Sequence, residues 1–173
     1  SIVLLPGFIN REELEECSSL NIEPVVHSLY QIALLEAREQ PCRFPFVWLK
    51  ITTGMNRLGF HEKNIVSASD ALNALPSLEN SELILMSHLA WGDVDDDDAR
   101  GFTAKQLQRF SAAIDVLDYK GKCSLAASTG IVAYPDTHFD IVRPGVMLYG
   151  SSPFDHISSC LLYTSDAADE LCR

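Results

Sequence analysis

A lysine in an apolar stretch and an arginine in the loop after it are the first candidates for chemistry. Lys50 follows an apolar run, where an unpaired ammonium group is costly to bury, so it needs a partner or a change of charge. The loop between Gly54 and Gly59 presents Arg57, whose planar guanidinium suits a carboxylate. From the residues alone, a lysine that reaches solvent and an ordinary surface arginine remain alternatives.

Two further polar segments follow apolar runs. His88 comes directly after one of them, where an imidazole can stack on a flat ring or transfer protons, although a lone histidine is more often structural. Ser128 and Thr129 precede Gly130 in a small polar turn that can begin a helix. Farther on, Gly145 would let backbone N–H groups approach an anion closely. These features are compatible with a phosphate site and equally with an ordinary turn.

The elements that must position these residues alternate short apolar runs with amphipathic stretches. The predicted strands are Ile2–Leu5, Pro24–His27, Phe46–Ile51, Leu83–Ser87, Ser124–Ala126 and Ile141–Leu148. The predicted helices are Arg11–Ser18 (after the cap Asn10), Ser28–Arg38 (with Ser28 as its cap), His61–Leu75 and Thr103–Leu117.

This alternation predicts an α/β fold. Continuous apolar strands indicate a parallel sheet that is covered on both faces. The periodicity leaves two architectures open, a doubly wound sheet and part of an eight-stranded barrel. No Gly-x-Gly-x-x-Gly motif follows a predicted strand, which disfavours a dinucleotide-binding protein.

Composition narrows the class of protein. The 173 residues carry a net charge of −11, which disfavours nucleic acid as a partner. No apolar run is long enough for a membrane span, and the first residues do not read as a secretory signal. The five cysteines form no CxxC pair, so we expect no metal site and reduced thiols in a cytoplasmic protein. They are Cys17, Cys42, Cys123, Cys160 and Cys172.

An acidic run, Asp93–Asp98, has carboxylates at five of its six positions. As a calcium-binding EF-hand loop it fails, because Asp98 stands where glycine is needed and Ala104 where glutamate is needed. Dense like charges repel one another and stay hydrated. The run therefore predicts a solvated loop.

The two ends of the chain differ in character from the rest. The chain does not begin with Met and opens within a predicted strand, from which we expect an incomplete N-terminus. The segment from Cys160 to Glu170 reads as the translation of a common transposase sequencing adapter. We interpret residues 155–173 as a non-native, disordered tail and residues 1–154 as the folded domain, a natural polar tail being the alternative.

Taken together, the polar segments resemble those of alanine racemases, pyridoxal-phosphate enzymes of fold type III. The resemblance covers nearly all of residues 1–154 and is most specific at Lys50–Gly59, at Ser87-His88 with the later Thr103-x-x-Gln106, and at His138–Gly150. It implies a partial (β/α)8 TIM barrel, about strands 3 to 8, without the first two strands and the C-terminal β-domain. It also implies an isomerase that interconverts L-alanine and D-alanine for peptidoglycan synthesis and acts as a homodimer.

The resemblance gives Lys50 and Arg57 linked roles. Lys50 matches a lysine that is often carbamylated in the family, and a carbamate replaces the buried cation with an anion. That anion would orient Arg57, which matches the arginine that contacts the substrate carboxylate and the phenolic oxygen of the cofactor.

The remaining implied cofactor contacts come from two later segments. His88 matches a histidine beside the cofactor that supports Arg143, and Arg143 matches the arginine on the pyridine nitrogen. Ser128, with the backbone of Gly145 and Val146, matches part of the phosphate cradle. A guanidinium keeps its proton near neutral pH, so it would donate to the ring nitrogen and leave that nitrogen unprotonated. The weaker electron sink fits simple racemisation.

The departures from the family concern mainly the two catalytic bases. The lysine that binds the cofactor covalently and the opposing tyrosine have no match here, and Tyr134 and Tyr149 do not correspond to that tyrosine. We therefore expect no catalytic base in this chain and no activity of the chain alone. Pro6, Thr52 and Ala127 replace the family's usual Glu, Asp and Asn. A related serine racemase and a non-catalytic pyridoxal-phosphate-binding barrel protein remain alternatives.

Overall fold

A parallel sheet with helices between its strands makes up residues 2–155, the part of the chain that the computed structural model describes. The strands are β1 (Val3–Leu4), β2 (Glu23–Val26), β3 (Phe46–Lys50), β4 (Glu82–Met86) and β5 (Cys123–Ser124). The helices are α1 (Arg11–Leu20), α2 (Leu29–Glu36), α3 (Glu62–Asn73), α4 (Asp97–Val116) and α5 (Ser128–Ala133). Apart from Asp155, the predicted non-native tail lies outside the described residues.

The strands pair in the order in which they occur along the chain, and every pairing is parallel. A doubly wound sheet reverses its strand order at a switch point, and no reversal occurs among residues 2–155. The predicted α/β class is confirmed. The strand order favours the barrel over the doubly wound sheet.

Helix caps follow the local sequence. The Asn10 side chain accepts a hydrogen bond from the Glu13 N–H at 2.8 Å, and the Ser28 hydroxyl accepts one from the Gln31 N–H at 3.4 Å. Both contacts satisfy a donor that the first turn of a helix leaves free. The predicted caps of α1 and α2 are confirmed.

The sixth predicted strand, Ile141–Leu148, is wrong. The stretch forms no strand: Arg143 makes one isolated parallel bridge to Ala127, and the Ile141 N–H donates to the Cys123 carbonyl at 3.1 Å. Pro144 has no N–H to continue the ladder. Gly145 then turns the backbone away, with φ −120° and ψ −99°, into a short 3-10 helix at Val146–Tyr149.

The acidic run is only partly the solvated loop that the sequence predicts. Its side chains are mostly exposed, but α4 begins at Asp97, well before the predicted start at Thr103. The Asp96 side chain accepts the Ala99 N–H at 2.7 Å and caps the helix. Carboxylates in a first helical turn are stabilised by the N–H groups there, which explains why the helix starts within the run.

Two apolar layers lie on opposite faces of the sheet. The larger lies between the sheet and the helices and includes Val47, Leu49 and Phe110. The smaller lies on the other, inner face and includes Trp48 and Met86. Successive side chains of a strand point to opposite faces, so Lys50 shares the inner face with Trp48. It stands there at the carboxyl end of β3.

Three described cysteines, Cys17, Cys42 and Cys123, are buried free thiols. Burial raises the pKa of Cys42 and of Cys123 to about 11, which keeps these thiols protonated and unreactive. Among residues 2–155, no helix combines the length and the apolar character that a membrane crossing requires.

Candidate cofactor-binding site

A cavity of about 410 Å³ opens at the carboxyl ends of the strands, on the inner face of the sheet. Lys50, Arg57, His88 and Arg143 supply its basic side chains, and no carboxylate lines it. No ion pair within residues 2–155 includes any of these basic residues. A group of cations without a counter-ion in a partly enclosed cavity favours an anionic ligand.

Lys50 is the basic residue of this cavity that belongs to a strand of the sheet. Its side chain is only 7% exposed at the end of β3. Burial lowers the pKa of its ammonium group, and the charges of Arg57 and Arg143 lower it further. The structure thus confirms the burial that the sequence indicates and adds two like charges beside the lysine.

The Arg143 guanidinium donates hydrogen bonds to three acceptors. Its Nη2 donates to the carbonyls of Ser87 (2.7 Å) and Leu125 (3.2 Å), and its Nη1 donates to the Ser124 hydroxyl. Burial lowers the pKa of the guanidinium to about 10, so it stays charged near neutral pH. Three of its five N–H donors are used, so within residues 2–155 the Nε–H and one Nη1–H have no partner on a side chain that lines the cavity.

His88 lies beside this cluster at the end of β4. Burial, followed by the charges of Arg143, Lys50 and Arg57, lowers the pKa of its imidazole to about 4. The ring is therefore neutral near pH 7. Among residues 2–155 no hydrogen bond joins His88 to Arg143, so the direct support that the resemblance implies is not formed; Ser87, Ser124 and Leu125 provide it instead.

Arg57 belongs to a closed loop after β3. The loop is fastened at its base, where the Phe60 N–H donates to the Lys50 carbonyl at 2.8 Å and the Thr52 N–H donates to the Phe60 carbonyl at 2.9 Å. Gly59 has a φ of +130°, and an added Cβ would lie 2.7 Å from the Ile51 carbonyl carbon. The tight base presents the exposed Arg57 at the cavity.

Ser128 and Gly145 meet in a second cavity, of about 440 Å³, that shares part of its wall with the first. The Ser128 hydroxyl is buried at the start of α5 and accepts N–H groups from Gly145 (2.9 Å) and Met147 (3.5 Å). Val146 also lines this cavity, as does the carboxylate of Asp93. The predicted phosphate-binding residues are thus brought together, with the Gly145 N–H occupied by the serine.

The sequence assigns no role to the hydrogen-bond partners of Arg143, although Ser87 lies in one of the motifs that carry the resemblance. Ser87 and Ser124 are small polar residues at the ends of otherwise apolar strands, a signal that points to buried hydrogen bonds but does not identify their donor. In the described part of the chain, no cluster of three or more His, Cys, Asp or Glu side chains could hold a metal ion.

Comparisons with known proteins agree on one family. The family model for the alanine racemase N-terminal domain matches residues 1–153. An alanine racemase of Alcanivorax borkumensis is 40% identical over 154 residues, which cover 89% of this chain and 40% of that protein. The chain thus spans about 40% of the length of the curated relatives that it matches.

Solved structures give the same answer. A biosynthetic alanine racemase from Pseudomonas aeruginosa is similar with a TM-score of 0.78 and 31% identity, covering 91% of this chain and 42% of that chain. An alanine racemase from Bartonella henselae with covalently bound pyridoxal phosphate has a TM-score of 0.68 and 30% identity, covering 88% of this chain and 42% of that one.

Proposed function

The chain belongs to the alanine racemase N-terminal domain family, and from this membership we propose that it forms one wall of the pyridoxal-phosphate site of an alanine racemase. The observation that carries the proposal is the cavity at the strand ends, whose charged lining residues, Lys50, Arg57 and Arg143, are all cationic. We also propose that the sheet is part of a (β/α)8 barrel, with its five strands at about positions 3 to 7 and the Arg143 bridge at the place of the eighth. Its sequential, all-parallel order supports that assignment.

The lining residues fit an anionic aromatic cofactor. Both cavities fall within the range of roughly 300–1,000 Å³ that is usual for ligand sites, and they share His88, Ala127 and Gly145 as walls. An elongated ligand could therefore extend from one to the other. When bound, pyridoxal phosphate supplies the electron-withdrawing ring that makes the α-proton of an amino acid acidic.

Arg143 would hold the ring nitrogen. Its Nη groups are fixed by the Ser87 and Leu125 carbonyls and the Ser124 hydroxyl, and its Nε–H remains available. Because the guanidinium keeps its proton near neutral pH, it donates a hydrogen bond to the nitrogen without protonating it.

Ser128, Gly145 and Val146 would hold the phosphate. In the structure the Ser128 hydroxyl oxygen accepts the Gly145 N–H, and its own proton, which has no acceptor among residues 2–155, can donate to a phosphate oxygen. An added Cβ at position 145 would be 3.7 Å from the serine oxygen. Packing therefore does not require glycine there, and the missing side chain leaves room for the ligand.

Lys50 and Arg57 would act on the substrate side. The lower pKa of Lys50 increases the share of neutral amine, the form that attacks carbon dioxide. The ammonium group first loses one proton, and the neutral amine then forms an N–C bond to carbon dioxide with release of a second proton, so that a carbamate anion replaces the cation. The carbamate would then pair with Arg57 and direct its guanidinium toward the substrate carboxylate.

The two proton-transfer bases of racemisation are, in this proposal, supplied by parts of the enzyme other than residues 2–155. The described residues bind, orient and exclude water, and the intact enzyme is proposed to be a cytoplasmic homodimer that supplies D-alanine for peptidoglycan. The family membership supports this role.

Binding of pyridoxal phosphate to this chain tests the proposal. We expect about one equivalent to bind in a calorimetric titration, and pyridoxal without the phosphate to bind at least roughly tenfold more weakly. Arg143→Gln and Ser128→Ala should each weaken binding. Ser77→Ala is the matched control, because Ser77 is also buried and donates to the Leu35 carbonyl, outside both cavities. Equal affinity in all these variants would refute the proposal.

A further inference from the structure

One glutamine side chain, that of Gln106, joins the loop after β3 to the loop after β4. Gln106 is fully buried on α4 and uses both N–H donors and the oxygen of its amide. Its Oε1 accepts the Ala90 N–H at 2.8 Å, and its Nε2 donates to the His88 carbonyl at 3.1 Å and to the Thr53 hydroxyl at 3.2 Å. The Ala90 donor and the His88 acceptor fix which end of the amide carries the nitrogen.

The hydrogen bonds beyond Gln106 have a single possible direction. The Ser87 hydroxyl must donate to the Ile51 carbonyl, 2.9 Å away, because a carbonyl only accepts. The Thr53 hydroxyl, 2.9 Å from the Ser87 hydroxyl, must then donate to it. Thr53 in turn accepts from Gln106. The hydrogen bonds therefore form one directed chain, in which the Gln106 amide donates to Thr53, Thr53 donates to Ser87, and Ser87 donates to the Ile51 carbonyl.

The same segments carry the basic residues of the cavity. Thr53 begins the loop that presents Arg57, and the Arg109 guanidinium, also on α4, donates to the Thr53 carbonyl at 3.0 Å. The Ser87 carbonyl accepts from Arg143 at 2.7 Å. His88 itself is held through its carbonyl. One residue of α4 thus contacts, directly or through one neighbour, the backbone that positions all three side chains.

We propose that Gln106 is a positioning residue for this site, which fixes His88 through its carbonyl and the Thr53 loop and Ser87 through the Thr53 hydroxyl. It touches neither the cavity at the strand ends nor the second cavity, so it acts only through other groups. The proposal rests on the proposed function for the ligand, but the geometry that it describes exists without one.

The first test uses no cofactor. In a histidine-ring NMR titration from about pH 8 to about pH 5.5, the wild-type His88 ring should stay neutral because its pKa is about 4. Gln106→Met removes all three hydrogen bonds at similar volume and should release the segment after β4 to water, which raises the His88 pKa into the titrated range. The control Ser77→Ala should leave His88 silent. Silence of His88 in Gln106→Met, or equal titration in Ser77→Ala, overturns the proposal.

A conservative pair at Thr53 keeps the test decisive if Gln106→Met does not fold. Thr53→Val removes the hydroxyl at similar shape, whereas Thr53→Ser keeps it. Thr53→Val loses the hydroxyl's buried hydrogen bonds to Gln106 and Ser87. Affinity for pyridoxal phosphate should therefore fall roughly tenfold or more in Thr53→Val and return in Thr53→Ser. Equally weakened affinity in Thr53→Val and Thr53→Ser overturns the proposed role of the Thr53 hydroxyl. If the unsubstituted chain binds no pyridoxal phosphate, the proposed function fails, while the His88 titration still decides the role of Gln106.

Discussion

The half-buried histidine just after β4, His88, predicts how the stability of the chain depends on pH. His88 has a pKa of about 4 in the folded chain, below its ordinary 6.5, because it is buried among Arg143, Lys50 and Arg57. Between these two values the unfolded chain binds more protons than the folded one, so stability falls as the pH falls. At or above about pH 7 the ring is neutral in both states, and this cost is absent.

The size of the effect follows from the two pKa values. Between about pH 7 and about pH 5, a shift of this size alone would lower the unfolding free energy by about 2 kcal/mol. Solvent screens the partly exposed ring, so the expected loss is about 1–2 kcal/mol. Urea unfolding of the wild type and of His88→Asn at both pH values measures it. The wild type should lose that much more stability than the variant.

A comparison between variants separates His88 from the carboxylates that also titrate at low pH. His61→Asn is the matched control, because His61 is an exposed histidine at the start of α3, outside the cavity at the strand ends. If His88→Asn loses as much stability as the wild type between the two pH values, then His88 is not held neutral by its surroundings, and the cationic cluster is wrongly placed.

Three further predictions concern the glycines, the lysine and the activity. Gly59→Ala should destabilise the chain by about 3 kcal/mol, because φ is +130° and the new Cβ would meet the Ile51 backbone. Gly101→Ala, with open space around it, should instead stabilise α4 by up to about 1 kcal/mol. Chemical denaturation measures both changes, and equal effects would contradict the loop geometry. Under carbon-13-labelled carbon dioxide, a carbamate resonance should appear in the wild type and in the control Lys63→Met but vanish in Lys50→Met; its persistence would exclude Lys50. The purified chain with added pyridoxal phosphate should not racemise alanine in a chiral assay, and turnover above the blank would show that a base lies within it.

Much of the fold is predictable from the sequence because its signals are local. Apolar runs bounded by polar turns predict the first five strands, and Asn10 and Ser28 predict where α1 and α2 begin. The sixth strand fails because an apolar stretch has the same appearance whether it is extended or turned; Pro144 and Gly145 stop the ladder there.

The candidate site is less predictable because its contacts join residues far apart in sequence. Lys50 can be identified from one strand, since a lysine in an apolar run is unusual wherever it occurs. The bonds from Arg143 to Ser87 and from Gln106 to Thr53 each span more than 50 positions. A pattern within one element contains no information about such partners. They become visible only when the sheet brings the strand ends together.

The most direct test of the account concerns the nitrogen that Arg143 is proposed to face. Pyridoxal phosphate labelled with nitrogen-15 in its ring can be bound to the wild type and to Arg143→Gln and followed by NMR from about pH 8 to about pH 6. We expect the ring nitrogen to stay unprotonated throughout in the wild type and to take up a proton in Arg143→Gln. The same titration of the nitrogen in both proteins, or no bound signal in the wild type, would contradict the proposed contact between Arg143 and the ring nitrogen.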